Sequence, residues 1–474
     1  MESDGLIPSQ AEPSPDLPKL LHFKVYRRRW FVLALLCLLN SSNATLWLTF
    51  APVADETMKT LGVSLYQVNW LSMVYMVVAI PVSCGTTWMI DKWGLRITLV
   101  LGSWLNMIGS IVRMTGALAT VPDWLRFPLV LVGQTVCSLA QPLVIFSPTK
   151  LAALWFPEHQ RAMANMAASM SNPLGVLLAN IVSPVIISST SSFVMLLFIY
   201  SIPPTIICFL ATVGLRQSVP PTPPSASAEN SSSEPFVQSI KLLLKNRSYL
   251  ILLLCFGLGV AVFTCFTSLL EQILCVKGYN NAFAGQCGVL FILLGLLGAG
   301  ATSWYVDQSK KFSETTKISI CLASVACSIF AVVSQMPDQK TSVAVTCCLF
   351  GLFGFAMYPV AMELSVECSY PVGEATSAGI IFIAGQILSM VCMFLLQLLA
   401  RPLSSAPLSV CAVSDETLSW RVPVLVMAGL WCLAACVFVI FFNTDYRRLQ
   451  AEQAATEHTP VLSGSHDHID AAHT

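Results

Sequence analysis

Asn43 and Trp47 stand four residues apart in an apolar run, so a helix turns both to one face. Gln141, Asn172 and Gln386 each sit near the middle of a further apolar run. A carboxamide at membrane depth is costly unless it meets a partner or water. A tryptophan near mid-span is away from the interfacial belts where that residue usually sits. Together these residues could line a small central site. An indole ring attracts a cation by about 2 kcal/mol or more when desolvated, and amides can orient a polar solute. The same amides could instead join neighbouring helices, at roughly 0.6 kcal/mol each. Tyr75 and Met76 are further wall candidates. No nucleophile–base pair or metal constellation accompanies them, so an enzyme is not indicated and no cofactor or metal is implied.

Such groups have to be held by membrane-spanning helices. Of 474 residues, 55% are apolar and 11% charged, against about 25% charged in a soluble domain. In water that composition would expose large apolar patches; the lipid bilayer is the matching solvent. A formal net charge of zero argues against a nucleic-acid partner. A spanning helix needs about 20 mostly apolar residues, and each run must be helical because lipid offers the backbone no partners. Twelve runs begin near Trp30, Tyr66, Leu95, Leu125, Arg161, Ser191, Ser248, Phe283, Ile318, Thr341, Thr376 and Val422. With both termini cytoplasmic, 18 of the 25 basic residues fall in inner segments. The other seven, Lys59, Arg113, Arg126, Lys277, Lys340, Arg401 and Arg421, fall on or near the outer side. That bias places both ends inside. The 17 cysteines lie mostly within apolar runs as packing residues and imply no disulfide framework.

A Pro- and Ser-rich stretch from Ser218 has the composition of a linker and divides six runs from six. The expected organisation is a disordered N-tail 1–26, a six-helix bundle 27–216, a cytoplasmic linker 217–247, a second bundle 248–445 and a disordered C-tail 446–474. In the linker, Ile240, Leu243 and Leu244 have the spacing of an amphipathic surface helix. The bundles read as copies. Gly85-Thr-Thr-Trp-Met-Ile-Asp91 reappears as Ala301-Thr-Ser-Trp-Tyr-Val-Asp307, an offset of 216, and Phe156-Pro157 as Tyr370-Pro371, an offset of 214. A parallel duplication of six spans follows, with the pathway between the halves near the midplane. The same offsets carry Asn172 to Gln386, and Trp47 to Phe263, beside Thr264.

Gly85, followed by Asp91-Lys92-Trp-Gly94-Leu-Arg96, lies between the second and third runs. This is similar to the G-x(5)-D-[RK]-x-G-x-R signature of the major facilitator superfamily. Gly85 suits close approach of helix backbones, and Gly94 a tight turn. Asp91 and Arg96 suit charge-assisted bonds that latch the halves together. The second half keeps Asp307 but has Gln308-Ser-Lys-Lys in place of the glycine turn, and Glu363, Glu367 and Glu374 ring the matching inner ends. The fold expected is all-α: twelve transmembrane helices in two pseudo-symmetric six-helix bundles, the major facilitator fold.

Four strings are more specific: Asn69-Trp-Leu-Ser-Met-Val-Tyr-Met76, Asp91-Lys-Trp-Gly-Leu-Arg-Ile-Thr98, Gly133-Gln-Thr-Val-Cys-Ser-Leu-Ala-Gln141 and Glu367-Cys-Ser-Tyr-Pro-Val-Gly-Glu-Ala-Thr-Ser-Ala-Gly379. Across residues 24–445 the chain resembles the heme/choline transporter family of the feline leukaemia virus subgroup C receptor, solute carrier family forty-nine. The resemblance implies a cage in which a span 1 tryptophan and a span 7 tyrosine face a quaternary ammonium. The first matches Trp47; the second matches Thr264, which has no π face. The family's glutamines in spans 4 and 11 match Gln141 and Gln386. The implied activity is alternating-access transport of a small organic solute, such as a choline- or ethanolamine-like amine, by a monomer. A transport-inactive receptor or scaffold, or an exporter of heme or another metabolite, is the alternative reading. None of the six histidines lies in a run, which disfavours histidine-ligated heme. No acid sits at mid-span, so facilitated diffusion is expected, with Glu271 at the outer end of span 7 the candidate to attract a cation. Asp16-Leu-Pro-Lys-Leu-Leu21 and Tyr446-Arg-Arg-Leu449 resemble sorting signals; the plasma membrane is the first expectation, endosome or lysosome the second.

Overall fold

The computed structural model describes residues 25–190, 192–222, 236–279, 281–402 and 418–457. In chain order the helices are α1 (Arg28–Leu48), α2 (Ala54–Leu61), α3 (Leu65–Trp93), α4 (Leu95–Gly116), α5 (Asp123–Ile145), α6 (Ser147–Trp155), α7 (Arg161–Thr190) and α8 (Phe193–Gly214). They continue as α9 (Phe236–Lys245), α10 (Arg247–Cys275), α11 (Asn281–Ser309), α12 (Phe312–Val333), α13 (Lys340–Ser369), α14 (Glu374–Leu399), α15 (Arg421–Phe441) and α16 (Arg447–Glu457). Eleven segments are long and apolar enough to cross a membrane. A twelfth is α3, bent by 55° between Trp70–Ser83 and Gly85–Trp93. Pro81 lies just before that bend and removes a backbone donor there. Eleven observed starts agree with the expected ones to within two residues, and α12 begins at Phe312, six residues before the expected Ile318.

Polar side chains open several helices. Ser64 and Gln67 form a reciprocal capping box at α3, and Ser192 and Asn246 cap α8 and α10, each occupying an amide that the helix itself leaves free. Gly94, at φ +83°, makes the turn into α4, as its lack of a Cβ permits.

The packing repeats between halves. Helix α1 lies on α7 as α10 lies on α14; α4 meets α5 and α8 as α12 meets α13 and α15. Across the seam, α3 meets α14 and α11 meets α7, which are exchanged copies of one contact. This is the pseudo-symmetric two-bundle arrangement of the major facilitator fold.

Three expectations change. Gly85 has open space where a Cβ would stand; its place is at the bend of α3, not at a close backbone contact. Residues 447–457, expected within an unstructured tail, form α16, because Leu449 donates its amide to Glu367 and Arg448 is buried against the second bundle. In α9, Leu243 packs into the core of the second bundle while Leu244 is exposed, so the helix is anchored to protein at one residue of its apolar face.

Candidate functional site

At the end carrying Arg28 and Phe441 the halves are joined by charge. Asp91, at the end of α3, accepts from the Thr376 amide at 3.2 Å and from the Thr376 hydroxyl. Its carboxylate therefore caps the first turn of α14, where the helix dipole favours an anion. Lys150, on α6, lies 3.3 Å from Asp91 and 2.8 Å from Glu374, and all three are nearly dry. Gly373 makes the approach possible, since a Cβ there would collide with the Asp91 carboxylate.

The second half repeats the cap. Asp307 accepts from the amides of Ala162 at 2.9 Å and Met163 at 2.8 Å, at the start of α7. The left-handed residue that follows is Lys310, φ 58°, in place of a glycine. Its ammonium bonds the Glu158 carbonyl at 2.8 Å and lies 3.3 Å from the Glu158 carboxylate, across the seam. Arg161, Asp307, Glu363 and Glu367 border an opening of about 230 Å³. Into this cluster α16 inserts Arg448, 3.7 Å from both Glu363 and Glu367.

Not every residue of the expected latch takes part. Arg96 donates to the Leu215 carbonyl at 2.9 Å, tying α4 to the end of α8 within one half. Lys92 stacks over Trp88 at 5.0 Å on the exposed face. The cation of Asp91 is Lys150, one of the basic residues of the inner segments, which the signature does not include.

Above this layer Phe146 and Phe382 meet edge to face across the seam, centroids 5.5 Å apart. They form part of the wall of a small, partly open pocket with room for about one water, lined also by Ile145, Ser169, Tyr358 and Met362. Gln141 precedes Ile145 by four residues on α5, and Gln386 follows Phe382 by four on α14. Each is thus stacked one turn beyond a lining residue, on the same helix face. Both glutamines are half-buried and make no hydrogen bond among the described residues.

Trp47 is half-buried, its indole nitrogen donating to the Ser72 carbonyl at 3.2 Å and its ring 6.5 Å from Tyr75. Tyr75 itself is fully buried behind it; Met76 is half-buried. Thr264 is half-buried with its hydroxyl on the Val260 carbonyl at 2.9 Å. Phe263 and Phe266 turn away from it into a phenylalanine cluster with Phe291 and Phe350. Asn43 is not brought to the pocket. It is fully buried, donating to Asn106 at 2.8 Å and to the Cys137 carbonyl at 3.1 Å, within the first bundle. Asn172 donates to Asn40 at 3.0 Å, along the α1–α7 seam. The Glu271 side chain lies outside the described residues.

Residues 30–393 match the sequence profile of the Major Facilitator Superfamily. A Danio rerio protein, Solute carrier family 49 member A3, is 57% identical over 97% of this chain and 98% of its own length. The chain belongs to the major facilitator superfamily, within solute carrier family 49. The Homo sapiens Choline/ethanolamine transporter FLVCR2 is 29% identical, over 78% of this chain and 71% of its own. Among solved structures, the E. coli fucose:proton symporter, FucP, superposes with a TM-score of 0.66 at 15% identity, covering 88% of this chain and all of that one. A member of this superfamily is a multi-pass membrane transport protein, with a small-molecule solute and the bilayer as its partners.

Proposed function

We propose that the chain is an alternating-access facilitator of a small organic amine, choline- or ethanolamine-like, with both termini in the cytoplasm. The observation that carries this reading is a half-buried Trp47 in one half, together with Gln141 and Gln386, unbonded and one helical turn beyond a small pocket between the halves. An indole attracts an ammonium, and free amides can take up its hydroxyl. The amine class is supported by the name of the human relative. Thr264 stands where the resemblance places a second aromatic, so Trp47 is the one ring of the cage and larger ammonium groups lose least by its single wall. Asp91, Asp307, Glu363, Glu367 and Glu374 all belong to the charged layer at the end with the termini, not to the level of the glutamines. Transport is therefore driven by the solute gradient and the membrane potential acting on a cation. The basic residues favour the cytoplasmic orientation, and the plasma membrane is the location in which such uptake serves the cell.

Uptake of radiolabelled choline and ethanolamine by cells expressing the chain tests the reading. Trp47→Ala is expected to reduce it by about tenfold or more, the effect of losing about 1.4 kcal/mol of cation attraction. Unchanged uptake of both amines in that variant would remove the site assignment. Uptake that follows an imposed proton gradient and is abolished by Glu271→Gln would overturn the facilitator reading. Binding of either amine without flux would favour a receptor or scaffold.

A further inference from the structure

Among the described residues Arg113 has no carboxylate partner. It is 0% exposed, in the middle of the first bundle, at a position expected near the outer surface. Burying a guanidinium costs several kcal/mol unless its charge and donors are met. The end of α1 and Gln134 meet the donors of its two terminal nitrogens, while Nε is buried without a partner among the described residues. That helix stops at Leu48, which puts Trp47 in its last turn and not near mid-span as expected: Thr49 and Phe50 turn the chain, and a short 3₁₀ segment, Ala51–Val53, follows. The last carbonyls of a helix lack intrahelical donors and form its negative pole. Arg113 donates to the Leu46 carbonyl at 2.8 Å and to the Thr49 hydroxyl at 3.3 Å. It also bonds the Gln134 side-chain oxygen at 2.9 Å. That leaves the amide nitrogen of Gln134 to reach the Leu46 carbonyl at 3.2 Å and the Trp47 carbonyl at 3.3 Å. The guanidinium lies 5.4 Å over the Phe50 ring.

The base of this clamp is stiff. A Cβ on Gly133 would lie 2.6 Å from the Arg113 backbone nitrogen, and one on Gly109 would lie 2.6 Å from the Gly133 carbonyl. Helices α4 and α5 therefore touch backbone to backbone beneath the two side chains. Trp47 is thus held at two points, its carbonyl by Gln134 and its indole by Ser72 on the bent helix α3.

We propose that Arg113, acting through Gln134, is the positioning residue of the solute site. It caps the carbonyl end of α1 and so fixes where the Trp47 ring stands, and with it which ammonium headgroups the site accepts. Arg113 touches no solute; its effect passes through Trp47. The inference rests on the reading of Trp47 as a site residue. Arginine is required because its planar fork reaches Leu46, Thr49 and Gln134 together, whereas a lysine ammonium on a flexible stem cannot hold that fixed geometry.

Two variants test the clamp: Arg113→Lys keeps the positive charge, and Gln134→Glu adds a negative charge beside Arg113. The second retains an acceptor for Arg113 but loses the donor to Leu46 and Trp47. In the full chain, with [14C]choline and [14C]ethanolamine as probes, each is expected to raise KM by about tenfold and to change the choline-to-ethanolamine ratio, with kcat within about twofold, as loss of binding geometry requires. In a Trp47→Ala background the same substitutions change KM by no more than about twofold, since the coupled residue is gone. Equal effects in both backgrounds would overturn the inference while leaving the solute site standing. A chain labelled with 5-fluorotryptophan gives a readout independent of flux. The ¹⁹F resonance that vanishes in Trp47→Phe is expected to shift or split in Gln134→Glu, while that of Trp431, buried in the other half, stays fixed. A Trp47 resonance that does not move in either variant refutes the positioning role. Wild-type chain that takes up neither probe refutes the proposed function, and the ¹⁹F result still decides the role of Arg113.

Discussion

In the first half of the charged layer Lys150 stands near the inner end of the span formed by α5 and α6, and Glu374 at the start of α14; in the second, Glu363 stands near the end of α13 and Arg161 at the start of α7. Lys150 and Glu363 stand on corresponding spans, as do Arg161 and Glu374, each pair one residue off the 214 offset of the repeat, so the sign of the charge on each span differs between the two copies. Asp91 and Asp307 have not changed: each caps the opening turn of a helix in the opposite half. The comparison separates two jobs. Capping depends on a carboxylate at one place, because the free amides and dipole of a helix start have a fixed sign. Ion pairing needs only that opposite charges meet, so either helix can carry either sign. The copies also differ in completeness. The first cluster closes on itself, with Lys150 at 2.8 Å from Glu374. The second holds one carboxylate more, Glu367, and draws Arg448 from outside the twelve spans.

The strongest way to break the comparison is Lys150→Ala. It leaves Asp91 and Glu374 buried without their cation, against a penalty of about 3–5 kcal/mol. Amide hydrogen exchange across residues 374–377 is expected to rise on the order of a hundredfold as the contact between the halves opens more often. The exchanged pair Lys150→Glu with Glu374→Lys gives the first half the arrangement of the second. It is expected to bring exchange back to within about tenfold of the wild-type chain, as coupled charges do; no recovery would show that sign is tied to helix after all. Arg448→Ala is milder, about 1–2 kcal/mol, because Arg161 stays beside Glu363 and both Arg448 pairs are long. The check is a lower melting temperature of the purified chain, with faster exchange confined to 363–369. Asp307→Asn is the smallest, about 1 kcal/mol for a weakened cap, read as several-fold faster exchange at Ala162 and Met163.

The spans were readable because hydropathy and bilayer thickness leave few choices, and the duplication because Trp88 and Asp91 recur as Trp304 and Asp307. The capping carboxylates were readable from the signature around Asp91, though their partners were not. Lys150 carries no local mark that separates it from other inner lysines, and which helix start it approaches is decided by packing between residues more than 200 apart. Asn43 shows the opposite failure. Its spacing from Trp47 put both on one face, but a helix face is broad, and Asn43 turns to Asn106 and Cys137 inside the bundle. Arg113 was hidden for a similar reason. Its role depends on α1 ending at Leu48, where neither glycine nor proline signals a stop; Pro52 comes four residues later. The nearby glycines, Gly109 and Gly116, gave a sign of close packing around it, and a lone arginine between them was the available clue.

The backbone contact between α4 and α5 has a mechanical consequence. With no side-chain thickness at Gly109 and Gly133, those two helices cannot slide past one another, so any rocking of the first bundle carries them, Arg113 and the end of α1 as one lever. Relative movement is left to α3, whose shaft changes direction by 55° between Ser83 and Gly85. Trp47 spans the two parts, its carbonyl on the lever and its indole on Ser72 of the jointed shaft. On the proposed function, a swing of the bundle twists that ring, and the motion that opens the path loosens its hold on the cargo.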